Sequence, residues 1–521
     1  MVATIAAAVG PALAVLSMSS AAALVSAPAQ AAAPPAPRAS EPPLTAPGQP
    51  LALVPCTLPG LEHAARCGRL ARPLDPARPT GPSIELHVTV LPAMARLPQP
   101  DPVVLLAGGP GQSAIGLAPQ AQALFGRLLN RRAVVLVDVR GTGRSAPLRC
   151  EEPPLTAPLA PAVDPSQALS RVKACREALQ RLPHGDLRFY TTTLAMQDLD
   201  AVREALGVKE WNLVGGSYGT RAALEYARLY PDRVRRMVLD GMAPPDMVLP
   251  ASFSPDGQAA LDAVFTACEA DAGCAARHPA LRQRWRELLA SLPREVTVAH
   301  PLTGLSERLT LTRDMLSGQV RGALYAPATA AVLPAALERA TQGDIGPLMA
   351  MSLAQASRRE TSLALGLHLS VVCAEDVPRL AQATDRPGAD FGTQYLDFYT
   401  RACAEWPRGE VSEAFYRIAP LAAPVLALSG GADPATPPRH GERVAKALGP
   451  AARHVVVPQA GHGVMGLPCM RDVLFRFISA PTAEAAAAVP ADCAAALPRP
   501  PAVAPVSAPA AAAASASGAP R

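Results

Sequence analysis

Residues 211–220 read Trp-Asn-Leu-Val-Gly-Gly-Ser-Tyr-Gly-Thr. Positions 211–214 form a short apolar run of strand type, and Ala222, Ala223, Tyr226, Ala227 and Tyr230 then recur on one helical face. Between them stands Gly215-Gly216-Ser217-Tyr218-Gly219, a G-x-S-x-G at a strand-to-helix junction. Small residues around Ser217 let the chain turn sharply, so that its hydroxyl stands exposed above the carboxyl edge of a sheet. A bare G-x-S-x-G also fits an ordinary glycine-rich turn. The strand–turn–helix setting makes Ser217 the candidate nucleophile.

The alternation continues outward on both sides. Residues 84–91 alternate as a half-buried strand does, whereas 102–107 (PVVLLA) and 133–139 (AVVLVDV) are continuous apolar runs, the mark of strands covered on both faces. Ala195, Leu199, Val202 and Leu206 make a helical stripe that stops at Gly207. Further strands are expected at 234–239, 425–429 and 454–458. This pattern predicts an α/β fold, a mostly parallel sheet flanked by helices with right-handed crossovers. Residues 247–415 break the rhythm. Leu261, Val264, Phe265 and Cys268 lie there on one stripe, which predicts a helical cap inserted into the sheet domain. A second domain in series fits less well, because the strand-like segments after it would have no sheet to join.

The chain has 521 residues, and its 58 prolines make about 11% against a usual level near 5%. Proline and alanine collect at the two ends. Residues 2–27 are small and apolar, and an A-x-A site after Ala31 predicts a signal peptide over 1–31, although Arg38 is the first basic residue. Residues 32–50 read as a Pro/Ala-rich linker and 498–521 as a disordered tail. That leaves 51–246 and 416–497 as the two parts of the sheet domain. Ten cysteines, an even number, suit an oxidising compartment, so the expected location is secreted or periplasmic; pairing of neighbours along the chain is the default. With no C-x-x-C and no His/Cys cluster of zinc spacing, neither metal nor cofactor is expected. Lys and Arg total 48 against 43 Asp and Glu, a formal charge of +5 with no run of like charges. That excludes a nucleic-acid partner, and no stable membrane insertion is expected once the signal is removed.

A serine hydroxyl is inert without a base. Of nine histidines, His462 in Gly461-His462-Gly463 directly follows the last expected strand. The orienting carboxylate should precede it in the chain. Asp433, in Gly431-Ala432-Asp433-Pro434 after the 425–429 strand, is favoured, and Asp240 is the runner-up. Oxyanion donors are expected from the backbone N–H of Tyr218, next to the serine, and of Gly109 in Ala107-Gly108-Gly109-Pro110-Gly111.

Taken in order, AGGPG at 107–111, DVRGTGRS at 138–145, GGSYGT at 215–220, GADPATP at 431–437 and GHG at 461–463 resemble the α/β-hydrolase fold. More narrowly they resemble the secreted tripeptidyl aminopeptidase and prolyl aminopeptidase family of serine exopeptidases, from about Cys56 to Cys493. Ala107 stands where relatives often have histidine, and GGSYGT is closer to the tripeptidyl branch. The resemblance implies a serine aminopeptidase with Ser217, His462 and Asp433 as its triad, acting on peptides with a free N-terminus. A carboxylesterase with the same triad is the alternative, and a non-catalytic binding protein a third reading. An ammonium under a cap needs a counter-charge. Glu375, with Asp376 second, is the expected anchor, since the two acids follow the apolar run 371–374 in the cap.

Overall fold

Every residue of β5 (Val103–Leu106) and β6 (Val134–Val137) is buried. Side chains alternate in direction along a strand, so each run serves two cores. Val103, Leu105, Val134 and Leu136 pack with Phe125 and Phe477 from helices Ala118–Leu129 and Pro468–Ser479. Val104, Leu106, Val135 and Val137 join Leu199 and Tyr226 from helices Thr192–Ala205 and Tyr218–Leu229 on the other face. Helices on both faces explain why these runs show no polar alternation.

The structure is a computed structural model and describes residues 41–357 and 363–503. The expected signal peptide lies outside the described residues. Among them, β4 (Ser83–Leu91) pairs antiparallel with β3 (Ala65–Pro73) on one side and β6 on the other. From β6 the order runs through β5, β7 (Trp211–Gly216), β8 (Val234–Asp240), β11 (Val425–Gly430) and β12 (Ala452–Val457), all parallel. The α/β-hydrolase architecture expected from the motifs is the one present. Parallel strands bring the loops after β5, β7, β8, β11 and β12 to one carboxyl edge, where α/β sheets place their sites.

Between β8 and β11 the chain builds helices from Leu249–Ala270 to Gln394–Ala402 around a core of its own that includes Phe265, Trp285, Leu316 and Leu337. It also contains an antiparallel hairpin, β9 (Arg294–Ala299) with β10 (Ser306–Leu311), that the helical reading did not foresee. The linker expected over 32–50 needs correction at its end. Leu44–Thr45 is a strand, β1, paired parallel to β3, and Thr45 Oγ1 accepts the Ala52 N–H at 3.1 Å. The edge of β3 offers backbone partners that composition does not reveal. β2 (Val54–Cys56) pairs with β3 as well. The start of the expected tail is also held: Arg499 donates to the Ala263 carbonyl and Val503 N–H to that of Ala331, tying it to the cap.

The ten cysteines form five disulfides between sequence neighbours: 56–67, 150–175, 268–274, 373–403 and 469–493. No helix among the described residues is long and apolar enough to cross a membrane.

Candidate active site

Ser217 sits between the end of β7 and the first residue of helix Tyr218–Leu229, with φ 54° and ψ −125°. A non-glycine residue rarely takes a positive φ, so the elbow is strained and must be held by its surroundings. The flanking glycines supply the room. A Cβ at Gly219 would lie 2.1 Å from the Leu106 carbonyl oxygen, and one at Gly215 would lie 2.4 Å from that of Gly219. Strand β5 and the helix therefore touch backbone to backbone under the serine. Tyr218 opens the helix, so its N–H has no intrahelical acceptor and sits at the positive end of the helix dipole. Gly108 lies against the elbow, a Cβ there being 3.3 Å from Ser217 Cβ, and Gly109 follows with φ 115°. The two expected oxyanion donors thus flank the serine.

His462 comes from the loop after β12. Its Nδ1 lies 2.8 Å from Asp433 Oδ2. Asp433 is fully enclosed and held by the N–H groups of Ala435 (2.8 Å) and Thr436 (2.9 Å), while the Thr436 hydroxyl donates to Oδ2 at 2.8 Å. Thr436 was not foreseen; its place three residues after Asp433 is the spacing of a side-chain turn. With Nδ1–H directed at the carboxylate, Nε2 keeps its lone pair for a proton. Burial pulls the His462 pKa down, but the Asp433 charge and hydrogen bond, aided by Asp240, outweigh it and leave the pKa raised. Burial pushes Asp433 up, and the same interactions overcome it and hold the carboxyl below its ordinary range.

Asp240, the other acid weighed, does not touch the ring nitrogens. Its backbone oxygen accepts the Ser217 N–H at 2.8 Å, and its carboxylate accepts those of Val464 (2.8 Å) and Met465 (2.8 Å). The next residue, Gly241, abuts the imidazole: a Cβ there would lie 3.3 Å from His462 Cε1. Asp240 therefore ties the serine elbow to the histidine loop. Burial raises its pKa to about 6.

A description of the alpha/beta hydrolase fold matches residues 101–466. The chain belongs to the α/β-hydrolase fold family. The chain is 34% identical to the tripeptidyl aminopeptidase of Streptomyces lividans over 201 residues, 36% of either chain. It thus spans about a third of that relative's length. It is 28% identical to the serine protease Hip1 of Mycobacterium tuberculosis over 452 residues, 79% of this chain and 84% of that one. Identity to the proline iminopeptidase of Neisseria meningitidis is 30% over 141 residues, 27% and 32% of the two chains.

The acids expected to anchor a substrate ammonium are buried and already paired within the chain. Glu375 and Asp376 are each 1% exposed. Asp376 grips the buried Arg221 guanidinium with two bonds of 2.9 and 3.0 Å and accepts the Leu249 N–H. Glu375 accepts the N–H and hydroxyl of Thr192 and lies 3.4 Å from Arg221. Burial raises its pKa to about 7. Their counter-charge is thus internal, from an arginine on the helix that begins at Tyr218, and neither is presented as a free anchor. The pair fastens the cap to that helix. A surface cavity of about 700 Å³ bounded by Gly60–Ala64, Leu91–Met94 and helix Ala118–Leu129 contains none of the candidate residues.

Proposed function

We propose that the protein is an exported serine exopeptidase that releases residues or tripeptides from peptide N-termini through an acyl-enzyme. The observation that carries this reading is the Asp433–His462 contact beside the strained Ser217 elbow. The peptidase names of the relatives support the substrate class, and five disulfides support an oxidising compartment.

In this mechanism His462 Nε2 takes the Ser217 hydroxyl proton as Oγ attacks the scissile carbonyl carbon. The N–H groups of Tyr218 and Gly109 stabilise the oxyanion, and Asp433 stabilises the imidazolium. The imidazolium returns the proton to the leaving amine as the C–N bond breaks. Water then attacks the ester with His462 again as base, regenerating the serine. Labelling with a fluorophosphonate, followed by peptide mapping, should place the adduct on Ser217. Aminoacyl and tripeptidyl anilides should be turned over alongside p-nitrophenyl esters. Turnover of esters alone would make the protein a carboxylesterase, and no label with no turnover would leave a binding protein.

A further inference from the structure

Six arginines among the described residues are buried. Four of them face a carboxylate: Arg132 with Asp101, Arg140 with Asp198, Arg203 with Asp200 and Arg221 with Asp376. Arg236 donates to the carbonyls of Phe477 and Thr482. Arg321, on helix Arg313–Leu324, has neither. It is 9% exposed, and its Nε and Nη2 have no hydrogen-bond partner. Aromatic rings surround it instead. The guanidinium carbon is 4.4 Å from the centroid of Phe253 and 5.3 Å from those of Tyr325 and Tyr395.

Ring faces attract a cation, and the Tyr325 and Tyr395 side chains interact with the guanidinium charge, but neither hydroxyl satisfies Nε or Nη2. The two unmatched nitrogens share one edge of the guanidinium, the edge that holds a carboxylate through two parallel N–H···O bonds. A buried charge with three of its five N–H donors unmet is poorly satisfied by this chain alone and well satisfied by a planar anion.

The place of this box matters as much as its chemistry. The Tyr325 ring meets His462 edge-on at 5.0 Å, and its carbonyl accepts the His462 N–H at 2.8 Å. On the other side Tyr399, its ring centroid 6.3 Å from that of Phe253, lies 2.7 Å from His368 Nε2, and His368 Nδ1 lies 3.2 Å from the Pro110 carbonyl oxygen. A proton on Nδ1 satisfies that carbonyl, and the Tyr399 hydroxyl then donates to Nε2. The box therefore spans from the candidate base to the 107–111 loop. Phe253, Tyr325, Tyr395 and Tyr399 are all partly exposed, so the rim of the box reaches the surface.

We propose that Arg321 determines specificity beside the Ser217 centre by binding a carboxylate of the substrate, presented as a peptide C-terminus or as an acidic side chain. This rests on the hydrolytic reading of the Ser217 centre, but its test reads binding and not turnover. Isothermal titration of the full chain carrying Ser217→Ala compares Ala-Ala-Ala with its C-terminal amide, and Ala-Glu-Ala amide with Ala-Gln-Ala amide. At least one acid should bind ten-fold or more tightly than its amide, and the arm that does so names the source. Arg321→Met in the same background should erase the difference, while Arg321→Lys, which keeps the charge without the fork, should retain part of it. Circular dichroism checks that each variant is folded. If Arg321→Met does not fold, the acid–amide ratios of the parent and of Arg321→Lys decide. Equal binding of acid and amide in both arms, or no binding, overturns the proposal, as does a difference that survives in folded Arg321→Met. Loss of fluorophosphonate labelling in the Ser217 protein would overturn the hydrolytic reading while leaving this comparison intact.

Discussion

In the proposed mechanism His462 acts as a base only when neutral, so its protonation sets the acid limb of activity. Its pKa is raised above the ordinary 6.5 because the interaction with Asp433 outweighs burial, with Asp240 adding and Arg321 opposing. The acid limb of kcat/KM should therefore lie above pH 6.5. Asp433→Asn removes the charge that raises it and leaves burial dominant, so the limb should move down while kcat falls by roughly 10⁴-fold. Asp240→Asn should move the limb less, since the Asp240 carboxylate bonds the Val464 and Met465 N–H groups and touches neither ring nitrogen. A pH–rate profile of the three proteins checks this. A larger shift from Asp240→Asn would make Asp240 the acid that matters to the ring. The motif order pointed to Asp433, the acid that lies against His462, whereas the surroundings of Glu375 were not legible. Its buried partner Arg221 lies 154 residues earlier, and no local pattern joins the two.

At the scale of elements, the glycines of the elbow and those of ordinary helices should behave oppositely. Gly219→Ala would press a methyl carbon to 2.1 Å from a backbone oxygen of β5, where nothing flexible can yield. It should destabilise by at least about 1–3 kcal/mol and impair labelling of Ser217. Gly126, inside helix Ala118–Leu129, has open space around its Cβ position. Gly126→Ala should stabilise by about 0.5–1 kcal/mol through helix propensity alone. Urea denaturation of both variants checks the pair. Elements buried on both faces were the easiest to read, because β5 and β6 carry unbroken apolar runs. The β9–β10 hairpin was missed although Glu295-Val296-Thr297-Val298 alternates, since helical patterns surround it. β1 was missed because its two residues lie in a proline-rich stretch and gain a partner only from the edge of β3.

Across the whole molecule, five disulfides brace a sheet domain and its cap. The 373–403 bridge closes 30 residues and joins helix Leu365–Glu375 to the residue that caps helix Gln394–Ala402, whereas 268–274 closes only 6. By chain entropy, removing the first pair with serine should cost about 3–4 kcal/mol and the second about 2 kcal/mol. Chemical denaturation of the two double variants checks that order, and the reverse order would show that the bridges act through native contacts. The proposed activity acts at peptide N-termini and is carried by Ser217. Its most direct test is mass spectrometry of one defined peptide, free or N-acetylated, incubated with the protein and with Ser217→Ala. N-terminal fragments should form from the free peptide only, and none with Ser217→Ala. Intact free peptide in the presence of active, fluorophosphonate-reactive protein, or cleavage that persists without the Ser217 hydroxyl, would contradict the account.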